Sequence, residues 1–178
     1  MLSPSKPAIR TIENYVPKRT KLLLKAIGDA LPSQEPGKTS FGDKEFFCKL
    51  PIKVGYPSVE LAIAASIFSA VESICIPHQI IFLGEIAPNG DIEETGGMED
   101  RLKYAKKHGF TTVISGTDIP PEISQGMKCI KFENLTAMFN KIQETHNKNT
   151  VPSEETMAVI EQLVKVLVKI KETKPAGN

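Results

Sequence analysis

The stretch "SVELAIAASIFSAVES", residues 58–73, constrains the chain more than any other. Apolar residues stand at 61–65, 67, 68, 70 and 71. An alanine-rich helix that is apolar on nearly every side must be covered on most sides. The rest of the chain has to supply that cover. "KRTKLLLKAIGDAL" (18–31) carries Leu23, Leu24, Ile27 and Leu31 at helical spacing. "EFFCKLPIKV" (45–54) reads as a strand, and Pro51 inside it predicts an edge position or a bulge.

Downstream, "HQIIFLGEIA" (78–87) is a strand, and Asn89-Gly90 in "PNGD" is the turn signal of a hairpin returning through "DIEET" (91–95). "GGMEDRLKYAKKHG" (96–109) predicts a helix stopped by Gly109, with Lys106, Lys107 and His108 at the negative end of its dipole. "FTTVIS" (110–115) and "MKCIKF" (127–132) are strands, and "ENLTAMFNKIQETH" (133–146) is a helix. Strands and helices alternating in this way predict an α/β domain of α+β layered form. Residues 1–16 read as a loose N-terminal tail, 17–146 as the folded domain, and 147–178 as a linker and a C-terminal amphipathic helix. That helix spans about 154–171 and carries Met157, Ile160, Leu163, Val164, Leu167 and Ile170 on its apolar side.

Several function classes drop out. With 22 basic and 21 acidic residues the net charge is +1, which gives no prior for nucleic acid or an anionic surface. "PGKTS" (36–40) lacks the first glycine of a phosphate loop and no strand leads into it. Gly96-Gly97 lacks the third glycine of a dinucleotide fingerprint. His78, His108 and His146 share no metal-ligand spacing, so neither metal nor cofactor is expected. Cys48, Cys75 and Cys129 are odd in number and scattered, and each reads as a small buried hydrophobe in a reducing, cytoplasmic setting. No apolar run reaches the roughly 18 residues that a membrane span needs.

Four segments in order carry a resemblance: "YPSVELAIA" (56–64), "FLGEIAPNGDI" (82–92), "GGMEDRLKYA" (96–105) and "GFTTVIS" (109–115). Without a gap they resemble the Lon-type proteolytic domain, where a Gly-Pro-Ser-Ala-Gly segment holds a serine nucleophile at the start of a buried helix. There a Thr-Gly-Glu strand, a hairpin and Gly-Gly-Leu-Lys-Glu-Lys follow, the second lysine being the general base. "ELAIAASI" (60–67) and "MEDRLKYAKKHGF" (98–110) resemble more closely the Lon-like C-terminal domain of bacterial RadA (Sms) proteins. The resemblance implies a Lon proteolytic-domain-like fold of the ribosomal protein S5 domain 2-like kind. It places Ser58 at the nucleophile and Arg101 at the base.

Two departures weigh against chemistry. Glu60 stands where the Lon segment has glycine, two places after the serine, and is expected to crowd and charge that corner. A Ser–Lys dyad needs an amine that can lose its proton, whereas guanidinium stays protonated. Arg101 is therefore expected to act as no base, and to be exposed or paired with Glu60 or Glu85. Ser58 then serves as a helix cap.

The leading expectation is a stand-alone RadA-like domain without peptidase activity, an assembly or interaction module linked to DNA recombination or repair. By the same resemblance its partners are further copies in a ring or dimer, a separate ATPase or recombination protein, and DNA. The alternative is a Lon-type serine peptidase whose base is Lys49, Lys53 or Lys103. A third reading is an unrelated small α/β binding protein.

Overall fold

The computed structural model describes residues 10–32, 41 and 45–150, with the side chains of 51, 52 and 148–150 left aside. The expected C-terminal amphipathic helix, the phosphate-loop look-alike and residues 1–9 lie outside the described residues. The chain divides into a unit ending at Gln143 and a second from Glu144 onward.

Residues 10–15, placed in a loose tail on composition, instead form strand β1 (Arg10–Tyr15). Helix α1 (Pro17–Ala30) follows, with proline in its first turn, where a missing N–H costs nothing. β2 (Phe46–Val54) returns parallel to β1, Arg10 opposite Phe46 and Glu13 opposite Lys49. The register then slips, so that Tyr15 faces Val54. Asn14 absorbs the slip in the left-handed region, at φ 66°, and its amide donates to the Leu50 carbonyl at 2.8 Å. Pro51 falls in this bulge, as its missing donor requires.

The central helix α2 (Glu60–Glu72) follows a 3₁₀ turn at Pro57–Val59. Leu61, Ile63, Ala64, Ala65, Ile67, Phe68 and Val71 are buried, as its sequence demands. Phe68 stacks on Phe139, ring centres 4.3 Å apart and ring planes nearly parallel. The strand expected at 78–87 is broken at Gly84 into β3 (Ile80–Leu83) and β4 (Glu85–Ile86). A Cβ at Gly84 would lie 2.8 Å from Ile92 and 3.2 Å from Leu61, so glycine allows the chain to pass against the start of α2.

β4 pairs antiparallel with β5 (Ile92–Glu93) through the Asn89-Gly90 turn. Helix α3 (Met98–Lys107) leads to β6 (Thr112–Ser115) and β7 (Lys128–Lys131), which with β3 form a parallel sheet ordered β3-β6-β7. Helix α4 (Leu135–Thr150) is capped by the Asn134 side chain, which accepts from Ala137 N–H at 2.9 Å.

Two apolar clusters result. The larger surrounds α2 and takes in β1, α1 and α4. The smaller lies under α3, where Leu83, Met98, Leu102, Ala105, Val113 and Met127 meet. Gly116 joins the hairpin to the parallel sheet, and a Cβ there would fall 2.0 Å from the Ile92 carbonyl oxygen. Backbone cannot yield as a side chain does. Gly116→Ala is therefore expected to cost about 3 kcal/mol or more, a fall of roughly 6–12 °C in Tm by differential scanning calorimetry.

Candidate functional site

The α2 entry is built from the residues outward. Pro57 and the 3₁₀ turn bring Ser58 into the protein, where it is 6% exposed, in a turn that lies against strands β3 and β4. Ser58 does not cap α2: the residue preceding the helix is Val59, and no side-chain cap hydrogen bond forms. Instead the Gly84 carbonyl accepts from Leu61 N–H at 3.2 Å. That bond occupies one of the helix's first amides, the groups that would otherwise stabilise an oxyanion. Among the described residues the Ser58 hydroxyl has no hydrogen-bond partner.

Glu60 is the chemical centre of this corner, at 1% exposure. Its Oε1 accepts from the Arg19 Nε at 2.5 Å and from the Tyr15 hydroxyl. Its Oε2 accepts from Arg19 Nη2 at 2.6 Å and from Ile86 N–H at 2.8 Å. Those four bonds fill a carboxylate's accepting capacity. Arg19 Nη2 also reaches the Ile86 carbonyl at 3.3 Å. The Glu60 carboxylate thus turns inward to α1 and β1 and spends its charge there, in place of the expected crowding of a substrate path. Burial, and then the carboxylate it faces, push the Tyr15 hydroxyl well above the ordinary tyrosine range. The Glu60 hydrogen bond raises Arg19 further still. Sequence reasoning missed Tyr15 and Arg19, which lie more than forty residues from Glu60 and share no motif with it.

Arg101 is half-buried on α3, and its partner is neither Glu60 nor Glu85. Its Nε donates to the Gly96 carbonyl at 3.1 Å, folding the guanidinium back over the Gly96-Gly97 turn. Gly97 holds that turn with φ 69°, in the left-handed region. No hydrogen bond joins Ser58 and Arg101 among the described residues.

The three substitute bases are placed unfavourably. Lys49 faces Glu13 at 3.4 Å, and Lys103 pairs with Glu99 at 2.8 Å within α3. Lys53 is exposed. The Glu99 hydrogen bond moves the Lys103 ammonium upward, opposite to what a general base requires. With Arg19 and Lys103 paired, the two basic runs present less free charge than composition implied.

Cys75 and Cys129 are exposed and Cys48 half-buried, all as free thiols, so the expectation of three buried hydrophobes fails at two positions. Among the described residues no group of three or more acidic, histidine or cysteine side chains is placed to hold a metal ion. No described helix is long and apolar enough to cross a membrane.

A serine in the turn before a buried helix, a broken strand and hairpin against it, and a Gly-Gly-led helix beyond define a Lon-type domain. The chain belongs to the Lon protease (S16) C-terminal proteolytic domain family, whose model matches residues 50–145. It is similar to the DNA repair protein RadA of Rickettsia typhi, 33% identical over 139 residues, covering 78% of this chain and 26% of that protein. The RadA of Rickettsia prowazekii is 40% identical over 88 residues, covering 49% of this chain and 17% of that protein. That of Mycolicibacterium smegmatis is 34% identical over 91 residues, covering 49% and 19%. The chain thus spans about a quarter or less of the length of these curated relatives.

The Tyr15 shift has a pH consequence. Below the ordinary tyrosine pKa of about 10 both folded and unfolded chains hold the proton, and the stabilisation is complete. As pH rises past it the unfolded chain loses its proton first, so stability falls. The alkaline limb of Tm against pH between about 9.5 and 11.5 is expected to be flatter in Tyr15→Phe than in wild type.

Proposed function

We propose that this chain is a Lon-type domain without peptidase activity, acting as an assembly or interaction module in a DNA repair setting. Arg101 at the base position carries the reading. A guanidinium takes no proton from a serine hydroxyl, and this one is committed to the Gly96 carbonyl. The pairing of Lys49 and Lys103 with carboxylates supports the same conclusion. So does the Leu61 amide, which is satisfied within the fold.

The link to DNA repair rests on the similarity to RadA proteins. By that similarity the module is proposed to work beside an ATPase or recombination protein and with further copies of itself. Retention of the fold without its dyad is what a domain kept for its surfaces requires.

The test is cleavage of an unfolded protein and of a fluorogenic peptide set by wild type, Ser58→Ala and Arg101→Lys. No cleavage above buffer is expected from wild type or Ser58→Ala. Turnover by wild type that disappears in Ser58→Ala would show a working nucleophile and overturn the proposal. For the DNA link, single-stranded DNA binding is expected to weaken as salt rises from 50 to 200 mM, with a log–log slope of a few units. A slope near zero would remove direct contact with the phosphate backbone.

A further inference from the structure

A groove of about 620 Å³ opens between β2 and α2. One wall is made by five consecutive residues of β2, 46 to 50. On the face of a strand only alternate residues line a cavity, because successive side chains point to opposite faces. Five in a row place the groove along the strand's edge. β2 pairs with β1 on one side and with no other strand among the described residues. Its second edge therefore carries backbone N–H and C=O groups that a neighbouring strand would satisfy.

The opposite wall is one stripe of α2. Ala62, Ser66 and Ala70 follow one another at single-turn spacing, with Val59 at the end beside Ser58. These are small side chains, and Ser66 and Ala70 are exposed although the helix is otherwise buried. The two walls match in length: four steps of about 3.3 Å along β2 give about 13 Å, and eight steps of 1.5 Å along α2 give about 12 Å. Phe47 stands at the rim, 62% exposed. Lys49 is the sole charged side chain among the described lining residues; it is positive and stays exposed beside Glu13, 3.4 Å away.

We propose that this groove receives an extended segment of a partner polypeptide, added as a strand to the free edge of β2. The segment carries apolar side chains at alternate positions toward Ala62, Ser66 and Ala70, and an acidic residue opposite Lys49. A helix laid there would leave the β2 edge groups unpaired. A strand satisfies them and sets the side-chain register. The proposal deepens the interaction-module reading by giving the chemistry of the partner, and it makes no use of Ser58.

The test is selection from a phage-displayed library of random twelve-residue peptides on the wild-type chain. The enriched peptides are then measured by fluorescence anisotropy on wild type, Ser66→Trp and Phe47→Ala. Both changes are at exposed positions, and thermal melts check that the variants remain folded. Alternating apolar peptides with an acidic residue are expected. Their Kd should rise at least tenfold in Ser66→Trp and several-fold in Phe47→Ala, and N-methylation of alternate peptide amides should abolish binding.

Peptides that bind folded Ser66→Trp as tightly as wild type, or tolerate N-methylation, would overturn the groove while leaving an interaction module with another face. Failure to enrich any peptide would also overturn it. So would a wild-type dimer that Ser66→Trp splits, since a second copy would then fill the groove. Cleavage of the selected peptides by wild type but not Ser58→Ala would instead bring down the non-peptidase reading.

Discussion

The ion pair between buried Glu60 and half-exposed Arg19 is the interaction on which the described architecture turns. A carboxylate at 1% exposure is tolerable only when its oxygens are fully engaged, and here Arg19, Tyr15 and Ile86 N–H engage both. Those partners come from α1, β1 and β4. One side chain in the first turn of α2 therefore ties the N-terminal β1–α1 segment to the central helix and to the hairpin. The family match begins at residue 50, yet the fold's key ion pair reaches back to residue 19. The segment before the matched region is part of the domain's structure.

The same pair makes the first turn of α2 a joint. Close approach of a substrate's backbone after the serine favours a small residue. Here the position holds a charged side chain that crosses inward and binds three other elements. Leu61 N–H is bonded to Gly84, and Gly84 is glycine because Leu61 and Ile92 leave no room for a Cβ. Arg101, at the far end of the comparison, holds its own glycine turn. The Leu61 amide and the Arg101 guanidinium each have a partner within the fold, while the Ser58 hydroxyl has none among the described residues.

Much of this was legible in the residues. The all-round apolar stretch of α2, the Asn-Gly hairpin, the strand with Pro51 and the Gly-Gly-led helix each act through local rules, and each appears near its expected place. The ordered motifs of residues 56–115 led to the right family. What the sequence hid was long-range. β1 has too few apolar residues to announce a strand and exists because β2 pairs with it. The partners of Glu60 lie 41 and 45 residues away, where no spacing rule operates. Ser58 looked like a cap because a 3₁₀ turn and an α-helical turn share a composition, and only geometry separates them.

The most direct measurement is a double-mutant cycle on the central pair: urea unfolding of wild type, Arg19→Met, Glu60→Gln and the double variant. The account predicts that Arg19→Met costs about 3 kcal/mol or more, because it strands the buried Glu60 carboxylate, and that Glu60→Gln costs less, because the half-exposed Arg19 keeps contact with water. The double change should then cost much less than their sum, for a coupling of about 2 kcal/mol or more. A coupling below about 0.5 kcal/mol would mean that the two residues act independently. That result would contradict the claim that this ion pair holds the α2 entry in place.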